Sequence, residues 1–206
     1  MMVYFCDQMS SRFFGRILLV ILPLIFFQCR PVSPYLDMEA RELASGERFD
    51  SLFFGFYLGM PSEDFYSRCW QLNKQGLIRE GSSNTTVHYD VQNFAYPAGM
   101  DFYPGFHDGH IAEMPLAFKY DAWAPWNRHL TADSLKIEVI DLMEEWFGDG
   151  FIEIRNPNKG GSNAFVKVDG NRRISIYNQL DEAVKVDIVD LVVKYQLDSL
   201  AKAQTL

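Results

Sequence analysis

Cysteine is nearly absent from this chain. Cys6, Cys29 and Cys69 are all it has in 206 residues, so no framework of several disulfides is available and the fold has to rest on its core. Histidine is scarce as well, with four, all between His88 and His129. The spacings that announce common chemistries are missing: there is no Gly-x-Ser-x-Gly, no His-Glu-x-x-His, no phosphate-cradling glycine loop and no Cys-x-x-Cys pair. Positive charge is in deficit, 19 Lys and Arg against 27 Asp and Glu for a net −8. That sign repels phosphates and argues against nucleic acid or an anionic lipid surface as partner. The longest apolar run, Ile17 to Phe27, has eleven residues. As a helix it reaches roughly 16 Å, about half of a ~30 Å hydrocarbon core, which is too short to span comfortably. What is plentiful is aromatic: 17 Phe, 10 Tyr and 4 Trp.

The short run has informative neighbours. Arg12 and Arg16 precede it and Gln28-Cys29 follow it, an order that resembles the signal sequence of a bacterial lipoprotein, cut before the cysteine and acylated on it. Met9 makes a more compact basic leader than Met1, which adds an acidic Asp7. Gln28 stands where such signals carry a small residue, so an uncleaved anchor and an ordinary apolar segment stay open as alternatives. Acylation of Cys29 predicts a membrane-anchored lipoprotein of the cell envelope, facing the periplasm or the cell surface. Each buried methylene of such chains contributes about 0.8 kcal/mol, so two or three chains hold a protein without a spanning helix.

The expected organisation is a signal segment over 1–28, a tether and short helix over 29–48, and a single α+β domain over 49–206. In the tether, Pro31 and Pro34 favour extended chain, and Asp37 to Ser45 can form a helix stopped by Gly46. Two longer helices are predicted. One opens at Met60-Pro61-Ser62-Glu63-Asp64 and buries Phe65, Cys69 and Leu72; the other opens at Thr131 as N-cap and buries Leu135, Val139, Leu142 and Trp146, with Leu130 stapled onto Leu135. Shifting one by 70 residues superposes Met60, Phe65, Cys69 and Leu72 on Leu130, Leu135, Val139 and Leu142. Each is followed by strand-like stretches: Thr85 to Val91, Met100 to Tyr103 and Ile111 to Tyr120 after the first; Phe151 to Arg155, Ala164 to Val168, Arg173 to Tyr177 and Val184 to Val189 after the second. Asp108-Gly109 and Asp169-Gly170 are hairpin dipeptides, and Asn158-Lys159-Gly160-Gly161 marks a longer loop. The pattern predicts helices on one face of antiparallel sheet, with tandem helix-plus-meander units at 49–128 and 129–196.

The string Gly59-Met60-Pro61-Ser62-Glu63-Asp64-Phe65 resembles the Gly-Met-Thr-x-x-Glu-apolar opening of small envelope lipoproteins of the SmpA/OmlA type, whose fold is shared with β-lactamase inhibitor protein. That resemblance implies helices on a short antiparallel sheet, two such units in tandem in the inhibitor protein, and a non-enzymatic, protein-binding envelope role. Pro61 stands where the family has a capping hydroxyl, which leaves Ser62 as the cap or no side-chain cap at all.

No catalytic residue and no cofactor is expected. His107 and His110 flank Asp108-Gly109, and a two-residue turn sets them opposite each other; zinc wants a third ligand, which His88, His129 or Asp121 would have to supply through the fold. Cys69 on a buried helical stripe is expected to be a small hydrophobe with a raised pKa. The segment Phe94 to Trp126 holds more aromatic rings than one sheet face can bury. Tyr120, Trp123 and Trp126 are therefore the expected anchors for a partner in the envelope. Two alternatives remain: a carbohydrate-binding accessory lipoprotein using the same rings, and a metal-dependent hydrolase centred on His107 and His110.

Overall fold

The computed structural model describes residues 33–81, 85–155 and 163–204. The signal segment, Cys29 and the loop at Asn158-Lys159-Gly160-Gly161 lie outside the described residues. By its contacts the chain divides into Met1–Asp37 and Met38–Leu206, and the second unit is the body described below.

The body is α+β, with nine strands in one antiparallel sheet. Helix α1 (Pro34–Ser45) enters it, and helix α2 (Ser62–Lys74) is followed by β1 (Arg79–Glu80), β2 (Val87–Val91), β3 (Ala98–Phe102), β4 (Gly105–His107) and β5 (His110–Tyr120). Helix α3 (Ala132–Phe147) is followed by β6 (Ile152–Arg155), β7 (Asn163–Asp169), β8 (Arg172–Gln179) and β9 (Ala183–Asp190), and helix α4 (Leu191–Gln204) ends the chain. The strand order β1-β2-β3-β5-β9-β8-β7-β6 places two helix-plus-meander runs back to back, each contributing its last strand to the centre. β4 is a spur paired with β5 alone; Pro104 precedes it and a register shift between Gly105 and Phe106 keeps it to three residues.

Alternation decides which side of the sheet is dry. In β5, Met114, Leu116, Phe118 and Tyr120 are buried, and register aligns Leu116 with Val186 of β9 and Phe102 of β3. Parity then sends Ala117 and Lys119 to the other side with Lys185 and Asp101. Helix α3 packs on the dry side against β5, β8 and β9. Its buried row is Leu135, Val139, Met143 and Phe147, a run of four-residue steps. The expected Leu142 and Trp146 lie one position away, half-buried against the cluster. Helix α2 adds Phe65 and Leu72. The turn Phe53-Phe54-Gly55-Phe56, left-handed at Phe54 and Gly55, completes an aromatic cluster in which Phe53 stacks on Trp146 with centroids 5.2 Å apart.

The helix ends are specified locally. Thr131 accepts from the Ser134 amide at 3.3 Å, as its N-cap position predicts. Pro61 occupies the N-cap of α2 with no side-chain cap, so that helix is held instead by its preceding strand-like bridge from Pro61 to His110. At the far end of α3, Lys167 of β7 donates its ammonium protons to the carbonyls of Phe147 (2.5 Å) and Gly148 (3.1 Å), satisfying acceptors that a helix C-terminus leaves open.

Three expectations change. Residues 38–48 belong to the body and not to a tether: Glu39 is buried, accepts from the Tyr195 hydroxyl of α4 and lies 3.9 Å from Arg173. Accordingly α1 and α4 approach the side of the sheet opposite α3. The second hairpin turn is Gly170-Asn171, because Asp169 stays in the ladder opposite Arg172 and binds its guanidinium at 2.8 Å. Gly170 has φ +50, and a Cβ there would come within 2.2 Å of the Glu47 carbonyl oxygen, so both conformation and space demand glycine. The third is α4 itself, which was not anticipated. Asp190 ends β9 and caps the helix through the amides of Val192 (2.9 Å) and Val193 (3.4 Å).

Among the described residues no helix is long and apolar enough to cross a membrane.

Candidate functional site

One end of the sheet gathers the close of β5, the β2–β3 loop, the β8–β9 turn and the start of α3. The three expected anchors meet there but differ in role. Tyr120 is 2% exposed and is a core residue, not a surface anchor: β5 parity turns its ring inward with Phe118. Its hydroxyl donates to Glu138 of α3 at 2.5 Å, and burial, reinforced by that carboxylate, pushes its pKa above the ordinary tyrosine value. The other Glu138 oxygen accepts the Ala95 amide at 2.5 Å. One carboxylate thus fastens α3 to the last residue of β5 and to the β2–β3 loop.

Trp123 is half-buried. Its indole N–H donates to the Asp181 carbonyl at 3.0 Å, which also accepts the Ala132 amide at 3.1 Å. Lys119 lies 5.0 Å from the ring centroid and pairs with Glu182 at 3.1 Å. The ring therefore ties the loop after β5 to the β8–β9 turn. Trp126, three residues on, is 84% exposed at a turn closed by the Asn127 amide on the Ala124 carbonyl (2.9 Å).

Leu180 is the residue that the sequence reading missed. It tops the three-residue loop between Gln179 and Ala183, 82% exposed and with φ +56. A leucine in the left-handed region, facing water, costs about 1 kcal/mol or more in strain and gains nothing by burial. Tyr96, edge-on to Tyr120 at 6.0 Å, and Ile137 of α3 are exposed as well. The only sequence signal for Leu180 was an apolar residue beside Asp181-Glu182 where turn chemistry favours glycine or asparagine.

The Asp108-Gly109 turn forms as expected, left-handed at both residues, with His107 opposite His110. Each ring finds a local partner: His110 Nδ1 lies 2.9 Å from the Asp108 carbonyl oxygen, and His107 Nε2 lies 3.3 Å from the Asp108 carboxylate. Among the described residues no group of three His, Cys, Asp or Glu is arranged to hold a metal. His88 and Asp101 instead bond each other across β2 and β3 at 2.7 Å. The His88 ring lies over Gly99, where a Cβ would come within 2.3 Å of it, and its Nε2 is 3.1 Å from Asp90, which Arg79 also binds. Cys69 is half-buried beside the core and its pKa is pushed up to about 11 by desolvation, so it is a thiol rather than a nucleophile at neutral pH.

No family model, curated protein or solved structure matches this chain.

Proposed function

We propose that the protein is a lipid-anchored component of the bacterial cell envelope that acts by binding another protein, without catalysis, through the aromatic end of its sheet. The observation that carries this reading is Trp126 standing 84% exposed. An indole held in water on an ordered turn costs solvation without serving the core, and tryptophan is the residue type most enriched at interface centres. Leu180, Ile137 and Tyr96 give it apolar company on neighbouring elements, while the Trp123 and Glu138 hydrogen bonds hold those elements in place before a partner arrives. A sugar-binding role for these same rings is less well supported, since Tyr120 is buried and Trp123 is half-buried and pinned to the Asp181 carbonyl. The anchoring half of the proposal rests on the order Arg16, apolar run, Cys29.

A photoreactive amino acid placed at 126 and crosslinked in intact cells is expected to capture one dominant envelope protein, and Leu180→Ser to reduce its yield severalfold. An equal yield from a photoreactive residue at Asp108, in the turn at the opposite end of β5, would refute the surface. Cys29→Ser is expected to release the chain from the membrane fraction, and unchanged fractionation would refute the anchor.

A further inference from the structure

Away from the aromatic end, α2 and the strand pair β1–β2 enclose an open groove of about 820 Å³, within the size range of small-ligand sites. Its character comes from the outer stripe of α2. Phe65, Cys69 and Leu72 turn toward the core, while Tyr66 and Trp70, four residues apart, remain exposed; Trp70 is 63% exposed. Lys74, one further turn along, holds its ammonium 4.8 Å from the Trp70 ring centroid, a cation–π contact on one face of the indole. The Tyr103 hydroxyl lies 2.7 Å from that of Tyr66, either one donating. Asn73, Glu80 and Thr85 complete the polar lining.

We infer that this groove binds a neutral oligosaccharide. A pyranose ring offers an apolar C–H face and a rim of hydroxyls, and it needs a flat aromatic ring beside donors and acceptors that can answer that rim. Trp70 supplies the first; the Tyr66–Tyr103 phenol pair, the Asn73 amide oxygen and the Glu80 carboxylate supply the second, the Asn73 amide nitrogen being engaged by the Ile78 carbonyl at 3.0 Å. Charge selects against ionic ligands: Arg79 is already paired with Asp90 at 2.9 Å, and Glu80 and the Lys74 ammonium on Trp70 are one of each sign, so a charged ligand would be desolvated without a compensating excess of counter-charge. The position selects against strand addition by a peptide. Glu80 and Val87 pair in register and project from the same face as the core residues of β3, so the groove lies over side chains. The backbone N–H and C=O groups that an added strand would need lie along the sheet edge instead. The residues differ from those of the proposed partner surface, so either reading can fail without the other.

The test is titration of the full-length protein with cellotetraose, maltotetraose and chitotetraose, read by calorimetry and by intrinsic tryptophan fluorescence. At least one is expected to bind with Kd of about 1 mM or tighter. Trp70→Ala is expected to weaken that binding at least about tenfold. Because Trp70 is solvent-exposed, the fold does not depend on its ring. Tyr103→Phe, which keeps the ring and removes one hydroxyl, is expected to weaken binding severalfold. The inference is overturned if none of the three binds at about 10 mM, if binding persists unchanged in both variants, or if a proline-rich peptide perturbs Trp70 where the sugars do not.

Discussion

Glu138→Ala tests how the aromatic end is held together. Glu138 accepts from a buried phenol at 2.5 Å and from the Ala95 amide at 2.5 Å, and it sits in mid-helix on the half-buried flank of α3. Removing the carboxylate takes the acceptor from the Tyr120 hydroxyl, on a residue 2% exposed, a penalty of about 1–3 kcal/mol. The Ala95 amide turns to solvent, and alanine returns about 0.4 kcal/mol of helix propensity. The expected net loss is about 2 kcal/mol. Tyr120→Phe alone, which removes the donor and leaves Glu138 its amide partner, should cost about 1–1.5 kcal/mol. The double variant should cost no more than Glu138→Ala by itself, because with no phenol there is no orphaned hydroxyl. That amounts to a coupling of about 1 kcal/mol or more. Urea unfolding of the four proteins, followed by far-ultraviolet circular dichroism, measures it. Additivity within about 0.5 kcal/mol would mean that hydroxyl and carboxylate do not interact, and the account of this end as a preorganised surface would fail with it.

Lys167→Met keeps the apolar stem and removes the ammonium that serves the carbonyls of Phe147 and Gly148; Asp169 retains Arg172 at 2.8 Å. A loss of about 2–4 kcal/mol in the same assay is expected, and one under about 0.5 kcal/mol would refute the capping role. Alkaline pH should also destabilise the protein. Tyr120 and Tyr177 both have hydroxyl pKa values raised from 10.0, by burial first and then by Glu138 and Asp187 respectively. The folded form therefore keeps protons that the unfolded chain releases, so this stability is fully present below pH 10 and falls as pH rises beyond it. The urea midpoint should start to drop above about pH 10 and go on falling toward about pH 12, less steeply in Tyr177→Phe, and a midpoint that rose would refute the assignment.

Local signals were legible wherever the chemistry of a few adjacent residues sufficed. Thr131 caps α3, Asp108-Gly109 closes its hairpin, and Gly46, Gly76 and Gly148 all follow helices with positive φ. The boundary between β9 and α4 was not legible, because Ile188-Val189 runs into Leu191-Val192-Val193 as one apolar string in which strand and helix look alike. What divides it is Asp190, 2% exposed, which binds Arg48 at 2.9 Å while capping the helix. Arg48 lies 142 residues away, beyond the reach of any local pattern. The aromatic anchors show the same limit. Tyr120 and Trp126 are equally apolar as letters, and only strand parity with the reach of α3 buries one and leaves the other in water.

By itself the sequence determined the class and much of the element order, because helix periods, strand alternation, caps and turn dipeptides are set by neighbours a few residues apart. The tertiary structure alone decided the rest. It placed the last strand of each run at the centre of one sheet, tied His88 to Asp101 instead of to the His107–His110 pair, and opened a groove beside Trp70. Each of these depends on registers and contacts between residues far apart in the chain, and a side chain's neighbours across a sheet are fixed by the folding of the whole body, not by its own segment.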